Sequence, residues 1–165
     1  NLSAQIKDRQ VTKGYLALVS GMMERESGLI DAPVARDPRN RKKMAGVVGG
    51  REARTRYRVV EAMDGWSLLE LYLETGRTHQ IRVHMADRKN PVLGDATYGP
   101  QPTAIAAALR RGGWSEEEAA RVMAFDRQAL HAKKLGFIHP VTNEEHLFEA
   151  DYPADFAQIL ETLNL

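Results

Sequence analysis

Cysteine is absent from the 165 residues, which excludes thiolate nucleophiles, disulfides, thiolate-held iron–sulfur clusters and cysteine-based zinc sites. Any chemistry must therefore draw on carboxylate, imidazole, hydroxyl, phenol or guanidinium groups. No apolar run approaches the roughly 20 residues that span a bilayer, and the opening NLSAQIKDRQ lacks the apolar centre of a secretory signal. A soluble, cytoplasmic protein without membrane contact is the expectation. No G-x-x-x-x-G-K-[ST] phosphate loop and no G-x-S-x-G nucleophile elbow occur. His79 and His84 are five apart with no glutamate between them, unlike H-E-x-x-H, and His131, His139 and His146 have no compact ligand spacing. No metal site is expected from such a pattern. Repeats, heptads and low-complexity tracts are also missing.

Excess charge is missing only in total. The 23 Lys+Arg and 22 Asp+Glu give a net +1, yet residues 1–60 hold 13 basic against 6 acidic groups and residues 61–165 hold 10 against 16. A basic half of +7 is thus joined to an acidic half of −6. The basic half concentrates in Arg36, Arg39, Arg41, Lys42 and Lys43, then Arg51, Arg54, Arg56 and Arg58. Gathered on one face, these groups would attract a polyanion such as RNA or DNA; scattered, they form a solvated loop and a charged strand edge.

A length of 165 residues suits one domain, or a large piece of a bigger one. Tyr15–Val19 reads as a strand ending at Gly21, and Gly28–Val34 as a short extended segment. Asp37–Gly50, DPRNRKKMAGVVGG, has the composition of a loop. Arg54–Ala62 and Trp66–Leu73 form a hairpin about Asp64-Gly65, with Thr55, Tyr57, Val59 and Glu61 on one face of the first arm. Thr78 is placed to cap a helix over His79–Ala86, in which Ile81 and Met85 form an apolar pair. Asn90-Pro91 ends it, and Val92–Gly99 is a turn-rich link. Ala104–Arg110 and Ser115–Phe125 are helical, the latter with Ser115 and Glu118 spaced as a capping box. Leu130–Ile138 and Glu145–Ala150 flank an HPVTN turn, and Pro153 opens a last helix. The pattern predicts an α+β fold, a mixed and mainly antiparallel sheet with flanking helices.

Polar groups are densest in GRTHQIR, Gly76–Arg82, where a strand gives way to a helix. A guanidinium can orient an anionic group through two parallel hydrogen bonds, a fork that lysine lacks. Arg77 and His79 have structural readings too, as backbone ligand and packing group. Tyr15 can stack on a base and exchange a proton through its phenol, or be an ordinary half-buried tyrosine. Asp95, in GDATYG, is a candidate catalytic carboxylate, although an aspartate in a Gly-rich turn more commonly accepts from nearby amides.

KGYLALVSG (Lys13–Gly21), GRTHQIRVHMADRKNPVLGDATYG (Gly76–Gly99) and LHAKKLGFIHPVTNEEHLFEA (Leu130–Ala150) together resemble the RluA family of ribosomal and transfer RNA pseudouridine synthases, in family order and over nearly the whole chain. The resemblance implies an isomerase that breaks the N1–C1′ bond of a uridine in RNA and rejoins the ring through C5, using an aspartate nucleophile, a tyrosine and an arginine with no metal or organic cofactor. On it, Tyr15 matches the active-site tyrosine, and Arg82 matches the arginine that pairs with the nucleophile. Arg77 and His79 fall at positions that shape the site or contact RNA, while Arg39, Arg41, Lys42 and Lys43 are the expected phosphate contacts.

One family element is missing. The nucleophile belongs to an H-R-L-D-x-x-T-S-G-like segment upstream of the tyrosine, and Asp8 in IKDRQ, Asp31 in LIDAP and Asp95 in GDATYG do not match it. Residues 1–165 are therefore expected to be a partial catalytic domain, inactive alone and completed by an amino-terminal part of the same protein. A noncatalytic RNA-binding domain derived from such an enzyme is the alternative.

Overall fold

The computed structural model describes all 165 residues. In chain order the elements are α1 (Leu2–Lys7), β1 (Thr12–Ser20), β2 (Ser27–Asp31), β3 (Val34–Arg36), β4 (Met44–Gly46), β5 (Arg54–Met63), β6 (Trp66–Leu73), α2 (Gln80–Asp87), α3 (Pro102–Arg111), α4 (Glu116–Met123), β7 (Leu130–Ile138), β8 (Glu145–Glu149) and α5 (Ala154–Thr162). Six strands form one sheet in the order β2-β5-β6-β1-β7-β8, every neighbouring pair antiparallel. The fold is α+β, as expected.

The β5–β6 hairpin turns on Asp64 and Gly65, whose φ values of 41° and 87° suit the two-residue turns that match strand twist. Tyr57 faces Leu71 and Val59 faces Leu69, but a bulge between Val59 and Glu61 then shifts the register. Glu61 accordingly does not continue the inward row of Thr55, Tyr57 and Val59, because one extra residue reverses the alternation. The basic strand β5 also turns out to be neutralised across the ladder. Arg58 pairs with Glu70 at 2.9 Å and Arg56 with Glu74 at 2.7 Å, while Arg54 lies 3.6 Å from Glu74.

Leu16 to Val19 of β1 and Trp66 to Leu69 of β6 are all buried, so the centre of the sheet is covered on both faces there. Ile105 and Leu109 of α3, Val122 of α4, and Phe156, Ile159 and Leu160 of α5 join them in one apolar core. Helix α4 starts with the expected box: Ser115 accepts from the Glu118 amide and Glu118 accepts from the Ser115 amide. Helix α2 is apolar on two sides. Ile81 and Met85 enter the main core, and Val83 packs with Val34 and Ala53 in a second cluster against which Met44 and Tyr98 rest.

Four expectations are corrected. The extended segment over residues 28–34 is two strands, β2 and β3, broken around Pro33. The expected loop at 37–50 contains β4, which pairs with β3 as a separate hairpin. Thr78 is exposed and does not cap α2. The helix starts one residue later than expected, with His79 as N-cap in the left-handed region at φ 54° and no side-chain cap bond. Helix α1 had no periodic signal in six residues; Asn1 caps it, and Gln5 ties it to β7 through both backbone groups of Ile138.

Candidate active site

A chain of buried polar side chains organises the turn from β6 into α2. The carbonyl oxygen of Gln80 accepts from the Thr75 hydroxyl at 2.6 Å and from the Arg77 amide at 3.0 Å. Its amide donates to the Arg54 carbonyl at 2.9 Å and to Thr55 Oγ1 at 3.0 Å. Thr55 in turn meets His84 Nδ1 at 2.9 Å, and His84 Nε2 meets the Ala32 carbonyl at 2.8 Å. Every group is satisfied when Nε2 carries the proton of a neutral His84. Burial, opposed by the Ala32 carbonyl, holds the His84 pKa below its ordinary value, which favours the neutral ring. These bonds take the place of the Thr78 cap and aim Arg77 and His79 out of the turn.

Arg82, one turn into α2, forks onto Asp95: Nε to Oδ2 at 2.7 Å and Nη2 to Oδ1 at 2.8 Å. Oδ1 also accepts from the amides of Thr97 at 3.0 Å and Tyr98 at 3.1 Å. Burial pushes the Asp95 carboxyl up, but the Arg82 hydrogen bonds and the two amides outweigh it, and its pKa stands below the ordinary value. The Arg82 pKa is raised, first by its bonds to Asp95. Asp95 is thus the partner of Arg82, its side chain fully buried beside an arginine that is 15% exposed. A carboxylate so closed in has no free lone pair turned to solvent with which to attack a substrate. Arg82 keeps Nη1 without a bond inside the chain.

Tyr98 links this pair to the basic hairpin. Its ring lies under the Arg82 guanidinium at 5.1 Å. Its hydroxyl accepts from the Met44 amide at 2.7 Å and sits 3.0 Å from His79 Nδ1. Burial, then Arg82, lowers the His79 pKa, with Asp95 opposing; a neutral His79 with its proton on Nε2 accepts the Tyr98 hydroxyl proton. The Lys43 ammonium reaches the Thr97 carbonyl at 3.3 Å. Arg39, Arg41 and Lys42 are exposed in the same loop, where Asp37 and Asn40 accept from the Arg39 and Lys42 amides at 2.8 and 3.1 Å.

Of the residues expected from sequence, Tyr15, Arg77, His79 and Arg82 line one depression of about 220 Å³, together with Leu73, Gln80, Ile81, Gln128 and Leu130. The half-buried Tyr15 sits where the β1–β7 register shifts; the extra residue, Lys133, lies on β7, so the alternation of β1 runs unbroken through Tyr15. No carboxylate is among the lining residues. Arg39, Arg41, Lys42 and Lys43 lie outside the depression, tied to it through Met44, Thr97 and Tyr98. Sequence reasoning missed Asp95 as the Arg82 partner and Tyr98 altogether. The spacing signal was thin, since a turn 13 residues downstream supplies both.

A profile described as RNA pseudouridylate synthase matches residues 1–87. The chain is 42% identical over 162 residues to the ribosomal large subunit pseudouridine synthase D of Pasteurella multocida, covering 98% of this chain and 48% of that protein. It is 40% identical to the uncharacterized RNA pseudouridine synthase YlyB of Bacillus subtilis, covering 99% of this chain and 48% of that one. Among solved structures, human RNA pseudouridylate synthase domain containing 4 superposes with a TM-score of 0.73 at 26% identity, over 99% of this chain and 66% of its own. The chain spans about half the length of the relatives it matches.

Proposed function

The chain belongs to the RNA pseudouridylate synthase family, and from that membership we propose that its parent protein isomerises uridine to pseudouridine in ribosomal or transfer RNA, with this chain supplying the uridine pocket. The observation that carries the reading is the convergence of Tyr15, Arg77, His79 and Arg82 on one depression. A uracil within a stack is out of reach of any side chain, so the nucleotide leaves its stack to enter. The Tyr15 ring then offers a stacking face, and its hydroxyl, which makes no hydrogen bond inside the chain, stands ready to take part in removing the C5 proton. The reaction breaks N1–C1′ and forms C5–C1′; the proton lost from C5 is balanced by one gained at N1, with no change of oxidation state.

In this reading the nucleophile is an aspartate carried by the rest of the parent, since no carboxylate lines the depression and Asp95 is held by Arg82 and two amides. Arg82, fixed by Asp95, offers Nη1 to that incoming carboxylate and keeps it ionised. The same lack of a carboxylate favours a second reading for the chain by itself, that of an RNA binder without turnover.

The experiment is pseudouridine mapping by mass spectrometry after incubating defined ribosomal and transfer RNAs with the full-length parent and with the 165-residue chain. The parent is expected to convert selected uridines and the chain none. Arg82→Ala and Tyr15→Phe in the parent should each lower the single-turnover rate by about 100-fold or more, the range in which a positioned acid–base or charge-stabilising group acts, while changing RNA affinity far less. A folded parent that leaves a broad cellular RNA pool unmodified would overturn the enzyme reading.

A further inference from the structure

Arg77 borders three depressions: the Tyr15 pocket, one of about 360 Å³ lined by Arg36 and Arg51, and one of about 380 Å³ lined by Lys7, Arg9 and Lys13. In the last of these, Lys13 is half-buried on β1, two residues before Tyr15 and therefore on the same face of the strand, about 7 Å along it. Its ammonium lies against Gly76, close enough that a Cβ built there would come within 2.8 Å of it. The absence of a side chain at 76 is what lets this cation sit beside Arg77. The carboxylates that could have neutralised it are engaged elsewhere. Glu52 pairs with Arg9 at 2.6 Å and Glu74 with Arg56 at 2.7 Å, whereas Lys13 has neither ion pair nor hydrogen bond within the chain. Arg77 gives its Nε to the Glu52 carbonyl at 2.7 Å, which fixes the guanidinium without neutralising it. Burial, then the Arg77 charge, lowers the Lys13 pKa, as expected where two cations are held close together; Glu74, which lines the same depression, is committed to Arg56 and Arg54.

We infer that Lys13 and Arg77, with the Gly76 backbone as floor, form a seat for one phosphate of the RNA backbone about one nucleotide step from the base held by Tyr15. The inference rests on the RNA reading of the Tyr15 pocket and adds to it a fixed point of register. The tetrahedral phosphodiester, a monoanion, meets a point charge on one side and a planar donor on the other, with Lys7 at the rim. The strand then continues past Arg77 toward Arg36 and Arg51. Such a contact carries no sequence information; it sets which nucleotide falls opposite Tyr15.

The test uses the 165-residue chain and a uridine-containing RNA hairpin, with binding measured over a series of salt concentrations for wild type, Lys13→Gln and Gly76→Ala. Gly76→Ala leaves both charges in place and displaces only the flexible end of Lys13, so it distinguishes the seat from general charge loss. Both variants are expected to weaken binding about 3- to 10-fold at low salt, and Lys13→Gln to reduce the log–log salt slope by about 0.7 to 0.9, the contribution of one phosphate. The Lys13 ammonium, followed by nitrogen NMR, should show its pKa rise on saturation with RNA. Wild-type affinity and slope in both variants, no binding by the wild-type chain, or a Lys13 pKa unmoved by saturating RNA would each overturn the seat. The wild-type full-length parent separates the two readings: at saturating RNA it should form pseudouridine. Binding with the predicted salt slope but no pseudouridine from the wild-type parent would retain the seat and remove the enzyme.

Discussion

At the scale of single residues, Tyr98 does more than its place in a Gly-rich turn announces. Its hydroxyl joins the Met44 amide to His79, and its ring face carries the Arg82 guanidinium, so one side chain sets the position of two others that line the Tyr15 pocket. Tyr98→Phe separates these roles, because the ring under Arg82 stays while both hydrogen bonds go. Loss of the partner of a part-buried amide costs about 1–2 kcal/mol, which in a domain of this size lowers the melting temperature by a few degrees. His79, freed from its tether, should let turnover of the parent at saturating RNA fall several-fold with RNA affinity nearly unchanged. Tyr98→Leu removes the cation–π contact as well, worth about 1 kcal/mol where partly desolvated, and should lower turnover further. Single-turnover rates of both variants, set beside their melting curves, check the role; equal rates for wild type and Tyr98→Phe would reduce Tyr98 to a packing residue.

At the scale of elements, the site depends on how α2 begins. Gln80 holds Arg54, Thr55, Thr75 and Arg77 together, so Gln80→Met, which keeps the volume, removes four hydrogen bonds and orphans the Arg77 amide, while the Arg54 carbonyl, Thr55 and Thr75 keep the Glu74 amide, His84 and the Arg54 amide. The expected loss is about 3 kcal/mol, from about 1–3 kcal/mol for the orphaned amide and about 1 kcal/mol or less for each further bond, without simple additivity. Calorimetry should find the melting temperature lower by about 10 °C, and a drop under 2 °C would mean that the network is dispensable. The same junction marks how far the sequence could be read. Strands whose alternation or apolar runs are continuous were legible: Trp66–Leu73 and Leu130–Ile138 coincide with β6 and β7, and the Ser115–Glu118 box with the start of α4. Thr78 looked like a cap by local chemistry, yet a side chain two residues on satisfies the turn from the interior. Strand β4 has only three residues inside a loop-like composition, and its partner β3 begins ten residues upstream. The pocket residues were legible because the family motif gathers Arg77, His79 and Arg82 in one segment. Their supports, Asp95 and Tyr98, come from a turn whose fold-back depends on tertiary packing.

At the scale of the whole molecule, the split between a basic and an acidic half does not translate into one basic face. Arg54, Arg56 and Arg58 meet carboxylates across β5 and β6, and their field outside the sheet is largely cancelled. Arg39, Arg41, Lys42 and Lys43 make no ion pair, and the loop that bears them is fastened to the pocket through Thr97 and Tyr98. Charge for charge, neutralisation at the two places should therefore have unequal effects on RNA. Neutralising the four loop residues to glutamine is expected to weaken RNA association by about 10-fold or more at low salt and to reduce the salt slope by up to about 3, at roughly 0.7 per single-strand phosphate. Neutralising Arg56 and Arg58 should change the slope by less than about 0.5, since each cation already has a protein counter-ion and releases little from the RNA. Chemistry at saturating RNA should change less than affinity in the loop variant, because none of its four residues lines the Tyr15 pocket. Of the replaced side chains Lys43 alone bonds outside the loop, to the Thr97 carbonyl; Asp37 and Asn40 hold the loop backbone and Tyr98 holds the Met44 amide, so a folding defect is not expected to mimic the result. Salt titrations of the wild type and both variants decide the matter. If the two variants lose the same slope per charge removed, net charge alone draws the RNA, and if the loop variant's curves superimpose on wild type, the loop is solvated and the RNA track runs through Lys13, Arg77, Arg36 and Arg51 without it.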